Sequence, residues 1–129
     1  LKNHLKNKKF ILGICAGYQM LGKEIFDDSL IESERKKIKG LGFLNVTTKM
    51  KKKKKTVKVN ALHYESGLYF DGYEIHIGQT EGKDCLKPFS LVNNKKDGAV
   101  SQNGLVMGSY IQVLASFLNK KKFLTKWTI

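Results

Sequence analysis

Cys15 lies in the string Gly13-Ile14-Cys15-Ala16-Gly17, the spacing of a nucleophile elbow, in which a strained strand-to-helix turn projects one side chain clear of the sheet. A backbone turning so tightly leaves little room for side-chain bulk on either side, and glycine removes the clash. The helix that follows would present unpaired N–H groups beside the sulfur, favouring thiolate over thiol and offering donors to a developing oxyanion. Acyl transfer through a cysteine is the chemistry that fits. A free cysteine taken alone is more often an inert buried side chain, but the longer string from Leu12 to Gly22, LGICAGYQMLG, favours the reactive reading.

The elements that must position this residue can be read from the hydrophobic pattern. Residues 10–14 form a short apolar run broken only by Gly13, which predicts a buried parallel strand. Met20, Leu21 and Ile25 then recur at helical spacing, predicting a helix over residues 16–25. Gly40 and Gly42 lead into an expected strand at 43–46, and the weakly alternating 57–62 is expected to pair with it. Asp71-Gly72 reads as a turn before 73–77, where Tyr73, Ile75 and Ile77 alternate with Glu74 and His76 in the manner of a half-buried strand. Further strands are expected at 89–92, 99–100 and 105–111, with a polar loop at 93–98 and a turn at Asn103-Gly104. A closing helix is expected over 119–127. Lys51 to Lys55 is a homopolymer preceded by Lys49, and because adjacent like charges repel, an exposed loop is expected over about residues 49–56.

Length and composition bound the rest. At 129 residues, 41% hydrophobic and 27% charged, the chain reads as one folded domain. The net charge of +13 raises nucleic-acid binding, but Arg35 is the single arginine and the lysines are spread along the chain, whereas specific readout favours arginine forks. A solvated lysine surface is the better reading. There is no apolar window of the roughly 18 to 20 residues that a membrane span needs, and no signal peptide, so a cytoplasmic setting is expected. The chain opens on Leu1 inside a charged, helix-compatible stretch and is expected to be a piece of something longer. Cys15 and Cys85 are expected as free thiols. No cysteine and histidine cluster has metal-ligand spacing, and no glycine-lysine loop is present to cradle a phosphate.

Three stretches together resemble the class I glutamine amidotransferase domains of the cobyric acid synthase type. They are the elbow LGICAGYQMLG, the string Gly72-Tyr73-Glu74-Ile75-His76-Ile77-Gly78-Gln79-Thr80, and Asp97-Gly98-Ala99-Val100 followed by Gly108-Ser109-Tyr110-Ile111. The resemblance implies an α/β, flavodoxin-like fold, N-terminally truncated, with a central sheet and flanking helices. It implies that Cys15 attacks the side-chain amide of glutamine, with the N–H of Ala16 as an oxyanion donor. Gln19 and the segment Tyr73, Glu74, Ile75 and His76 would hold the substrate. Ammonia would pass to a separate ATP-dependent synthetase domain, where ATP and magnesium belong; no cofactor is expected in this chain.

The family places its catalytic histidine directly after a glycine-threonine-tyrosine-leucine string, and the matching position here is Gln112. No histidine follows His76, and His4 and His63 stand outside the motifs. The missing imidazole would accept the thiol proton and protonate the departing ammonia, a role worth about two to four powers of ten, and glutamine has no titratable nitrogen to replace it. Weak or absent glutaminase activity is the expectation. The alternatives are a non-catalytic binding module that retains the fold, and an amidotransferase serving another ligase such as a cell-wall amidating enzyme.

Overall fold

The computed structural model describes residues 2–27 and 36–113, without side chains at 52–54, 76, 77 and 113. After a short helix, α1 (Lys2–Lys6), the apolar run becomes strand β1 (Ile11–Ile14) and the turn at Cys15 feeds helix α2 (Ala16–Leu21). Helix α2 is shorter than expected. Gly22 closes it, packed so tightly that an added Cβ would lie 2.9 Å from Val46 Cγ2. Ile25, expected on the helix, is instead buried in strand β2 (Glu24–Phe26). Strand β3 (Lys37–Lys39) pairs antiparallel with β2.

Two long strands follow, β4 (Thr47–His63) and β5 (Tyr69–Glu81), antiparallel over most of their length. This hairpin corrects three expectations. The chain reverses at 64–68, where Gly67 has φ 70°, and Asp71-Gly72 lies inside β5 rather than in a turn. Residues 57–62 pair with β5, and 43–46 precede the strand. The lysine stretch expected as a loop is part of β4, with an irregular register between Met50 and Lys55. Repulsion between neighbours is tolerated because strand side chains alternate between faces, and Lys49, Lys51, Lys55 and Lys58 all reach solvent. Their edge is covered by β2 only at 47–49 and, at 62–63, by β6 (Ser90–Val92). Among the described residues the edge between those points has no strand partner, and lysines on such an edge obstruct pairing with other chains.

A short 3-10 helix (Lys83–Leu86) leads to β6 and β7 (Lys95–Asp97), so the expected polar loop contains a strand. Strands β8 (Ala99–Val100), β9 (Val106–Ser109) and β10 (Ile111–Val113) complete the described chain. The expected strand at 105–111 breaks at Tyr110: β9 belongs to a three-stranded sheet in the order β1-β9-β8, whereas β10 joins β5 at the end of a seven-stranded sheet. The closing helix expected at 119–127 lies outside the described residues. The architecture is mixed α/β, two sheets with few helices, compatible with the expected flavodoxin-like fold in truncated form.

Strand β9 is buried on both faces. Val106 faces a cluster with Tyr18, Leu21, Leu44 and Val46, while Met107 faces Ala61, Phe70, Phe89 and Ile111. Between sheet and helix, Gly108 lies under the ring of Tyr18, and any Cβ there would overlap that ring. Gly108→Ala should therefore cost about 3 kcal/mol or more, by overpacking against a side chain with nowhere to move. A urea midpoint within experimental error of the parent's would show that the Tyr18 ring can yield.

Candidate active site

Cys15 is placed by β1, whose parallel pairing with β9 sets Ile14 beside Ser109. Its backbone N–H donates to the Ser109 carbonyl at 2.9 Å, and its own carbonyl accepts from Gln19 N–H at 3.1 Å. Between these anchors Cys15 takes φ 54° and ψ −113°. Such a conformation costs a non-glycine residue about 1 to 3 kcal/mol and persists only where its surroundings enforce it. Gly13 is part of that enforcement, since a Cβ there would sit 2.5 Å from Leu21 Cδ1 and 2.8 Å from the Gly17 carbonyl carbon. Gly17 is not, because nothing lies within 4 Å of a Cβ added to it. The expectation that bulk is excluded on both sides of the turn thus holds at Gly13 only.

The Cys15 side chain is half-buried and makes no capping bond to α2. Ala16, exposed, opens that helix. Its N–H is among the first four, which have no partner within the helix. The Cys15 sulfur instead lies 3.7 Å from the Tyr110 carbonyl, to which it donates. The same carbonyl accepts from Ile75 N–H at 3.0 Å, so the Tyr110 peptide joins the elbow to β5. Beyond it, Gln112 is exposed on β10 directly across from Tyr73, and Ile111 is across from Glu74. Tyr73 is 42% exposed. His76 follows on β5, its backbone opposite Lys55.

Gln19 points inward. Its side chain is buried against Gly78, and its amide donates to the Tyr110 hydroxyl at 3.2 Å. That hydroxyl also bonds Thr80 Oγ1 at 2.5 Å, which meets Thr48 Oγ1 at 2.6 Å. Burial pushes the Tyr110 hydroxyl above its ordinary titration range, against the opposing pull of its bonds to Thr80 and Gln19, so it remains a neutral phenol. The Tyr110 ring borders a cleft of about 320 Å³ that Glu74, Gln79, Lys96 and Asp97 also line. Cys15 is not among its walls.

Asp97 is the functional-site neighbour that the sequence did not single out. Its carboxylate, nearly fully buried, accepts from Ser109 Oγ at 2.6 Å, Ser90 Oγ at 2.9 Å and Tyr110 N–H at 3.1 Å. An aspartate before glycine reads as a turn, and only the β7 to β9 packing brings it inside. The two other histidines have local partners. His4 Nε2 lies 2.9 Å from the Phe10 carbonyl, and His63 is buried with Nδ1 2.6 Å from Ser66 Oγ. Among the described residues Cys15 and Cys85 form no disulfide. Among the described residues no three histidine, cysteine or acidic side chains gather where they could hold a metal ion, and no helix is long and apolar enough to cross a membrane.

Comparison with known proteins places the chain in a family. Residues 1–120 match the CobB/CobQ-like glutamine amidotransferase domain. The chain is 46% identical over 111 residues to the cobyric acid synthase of a Jannaschia species, covering 86% of this chain and 23% of that protein. To a cobyric acid synthase of Rhodobacter capsulatus it is 46% identical over 114 residues, 88% of this chain and 24% of the relative. With that of Bradyrhizobium diazoefficiens it shares 40% over 127 residues, 98% and 26%. The chain thus spans about a quarter of the length of the curated relatives it matches.

Burial holds the Asp97 carboxyl above the ordinary carboxylate value of 3.8, the bonds from Ser109, Tyr110 and Ser90 offsetting only part of the effect. The folded state therefore favours the protonated form more than the unfolded chain does, and proton uptake is shifted to higher pH. This contribution to stability is full below 3.8 and is lost as pH rises through the higher folded value. Asp97→Asn, neutral throughout, should gain on the parent in urea midpoint over that interval. A difference that is flat with pH would show that Asp97 does not titrate there.

Proposed function

Because the chain belongs to the CobB/CobQ-like glutamine amidotransferase family, we propose that Cys15 is the nucleophile of a glutaminase centre of the cobyric acid synthase type, releasing ammonia for ATP-dependent amidation in cobalamin biosynthesis. The observation that carries the reading is the backbone of Cys15 at φ 54° and ψ −113°, a strained turn between β1 and α2 that serves no capping bond. The thiolate attacks the side-chain carbonyl carbon of glutamine, and the Ala16 N–H supports the oxyanion that forms. When that intermediate collapses the C–N bond breaks, the nitrogen takes up, through solvent, the proton that the Cys15 thiol gave up and leaves as ammonia, and a thioester remains on Cys15. Water then attacks the thioester, releasing glutamate and restoring the thiol. The segment Tyr73, Glu74, Ile75 and His76 would hold the amino-acid end of the substrate, a reading supported by the bond from Ile75 N–H to the Tyr110 carbonyl that the Cys15 thiol also meets. Gln19 acts from behind, through the Tyr110 hydroxyl.

The proton steps are the weak point. By the family string Gln112 stands where an imidazole would take the thiol proton and return one to the leaving amine, and on this reading turnover through this chain alone is slow. On this reading the ammonia acceptor, with its ATP and magnesium, belongs to an ATP-dependent synthetase portion outside this chain. Two cysteines outside any disulfide among the described residues fit a reducing, cytoplasmic setting. Gln112 also favours a second reading, a binding module that keeps the fold without catalysis.

Ammonia release from glutamine separates the two. Parent protein should release ammonia slowly and Cys15→Ala none. Gln112→His should accelerate release by about two to four powers of ten. If Gln112→His folds and releases no more ammonia than Cys15→Ala, the binding module is the correct reading.

A further inference from the structure

The backbone of Tyr110 is held in both of its flanking peptide groups. Its N–H donates to Asp97 Oδ1 at 3.1 Å, and its carbonyl accepts from Ile75 N–H at 3.0 Å and from the Cys15 thiol at 3.7 Å. Asp97 is itself fixed by Ser109 Oγ, and Ser109 Oγ accepts from Ile111 N–H at 2.9 Å, so the carboxylate and one serine clamp the chain on both sides of Tyr110. This is where the chain leaves the three-stranded sheet and enters the seven-stranded one. A break between sheets leaves peptide groups without ladder partners, and here the carboxylate and the serine supply them.

We propose that Asp97 and Ser109 are positioning residues for the nucleophile: by fixing the Tyr110 peptide they aim its carbonyl at the Cys15 thiol and hold the resting sulfur in its protonated form. A carbonyl can bond S–H but not S⁻, so a carbonyl held in place favours the thiol. The pair thereby sets how readily Cys15 becomes a thiolate, without touching substrate. Ser90 also bonds Asp97, but from β6 rather than from the segment that carries Tyr110, which makes it the natural comparison. The proposal rests on the reading of Cys15 as the nucleophile and adds the device that restrains it.

Alkylation of Cys15 by iodoacetamide across a pH series, read at the Cys15 peptide by mass spectrometry, tests this without glutamine turnover. Loss of glutaminase activity would therefore count against the function above, and an unmoved alkylation profile against this inference. In Ser109→Ala the profile should move to lower pH, with alkylation near neutrality about three- to tenfold faster. Asp97→Asn should move it the same way. Ser109→Ala is the cleaner variant because it leaves the charge of Asp97 in place. Ser90→Ala should lower the urea midpoint and leave the profile where it is. A folded Ser109→Ala protein with the parent's profile overturns the proposal. So does an equal shift in all three variants, which would be general loosening. If Asp97→Asn does not fold, Ser109→Ala alone decides.

Discussion

The parallel pairing of β1 with β9 is the constraint from which the site follows. Its register sets Ile14 beside Ser109, so that the next residue, Cys15, bonds the Ser109 carbonyl and its sulfur meets the Tyr110 carbonyl. A slip of one residue would turn every side chain of β9 to the opposite face. The core forbids it, because Val106 and Met107 are packed into different clusters and Gly108 accommodates the Tyr18 ring. Burying a side chain the size of Met107 contributes about 1.5 to 3 kcal/mol. That matches the cost of holding one residue in the strained conformation of Cys15, and several such side chains lock the register.

Strand β9 also explains how one short segment serves two sheets. The chain crosses from β9 to β10 within one residue, Tyr110, and so brings β5 to the elbow. The segment 73–77 and the elbow, far apart in sequence, meet through a single peptide group. The Tyr110 side chain carries the same junction inward, through its hydroxyl to Gln19 and Thr80.

Much of this was legible in the residues, and the failures have physical causes. The strand, turn and helix around Cys15 could be read because an apolar run and a glycine pair bracket the cysteine. The long β4–β5 hairpin was hidden, since a lysine homopolymer suggests a solvated loop when strand alternation is ignored. Ile25 matched helical spacing, yet Gly22 ends the helix three residues earlier by packing against Val46. Asp97 was present in a recognised string but unassigned, because no local pattern distinguishes a turn aspartate from one that tertiary packing buries. Gly17 was over-read: its place in the elbow string is plain, but the space around it is open.

Strand β9 and the Tyr110 carbonyl position the Cys15 thiol, and the proposed function requires that thiol to be a selective nucleophile toward glutamine-like ligands. The most direct measurement is labelling with a chloroketone analogue of glutamine, in which thiolate displaces chloride and no acid is required. The account predicts a single covalent adduct on Cys15, suppressed by excess glutamine, with Cys85 unlabelled. An adduct on Cys85 instead, or labelling of Cys15 that glutamine leaves unchanged, would contradict it.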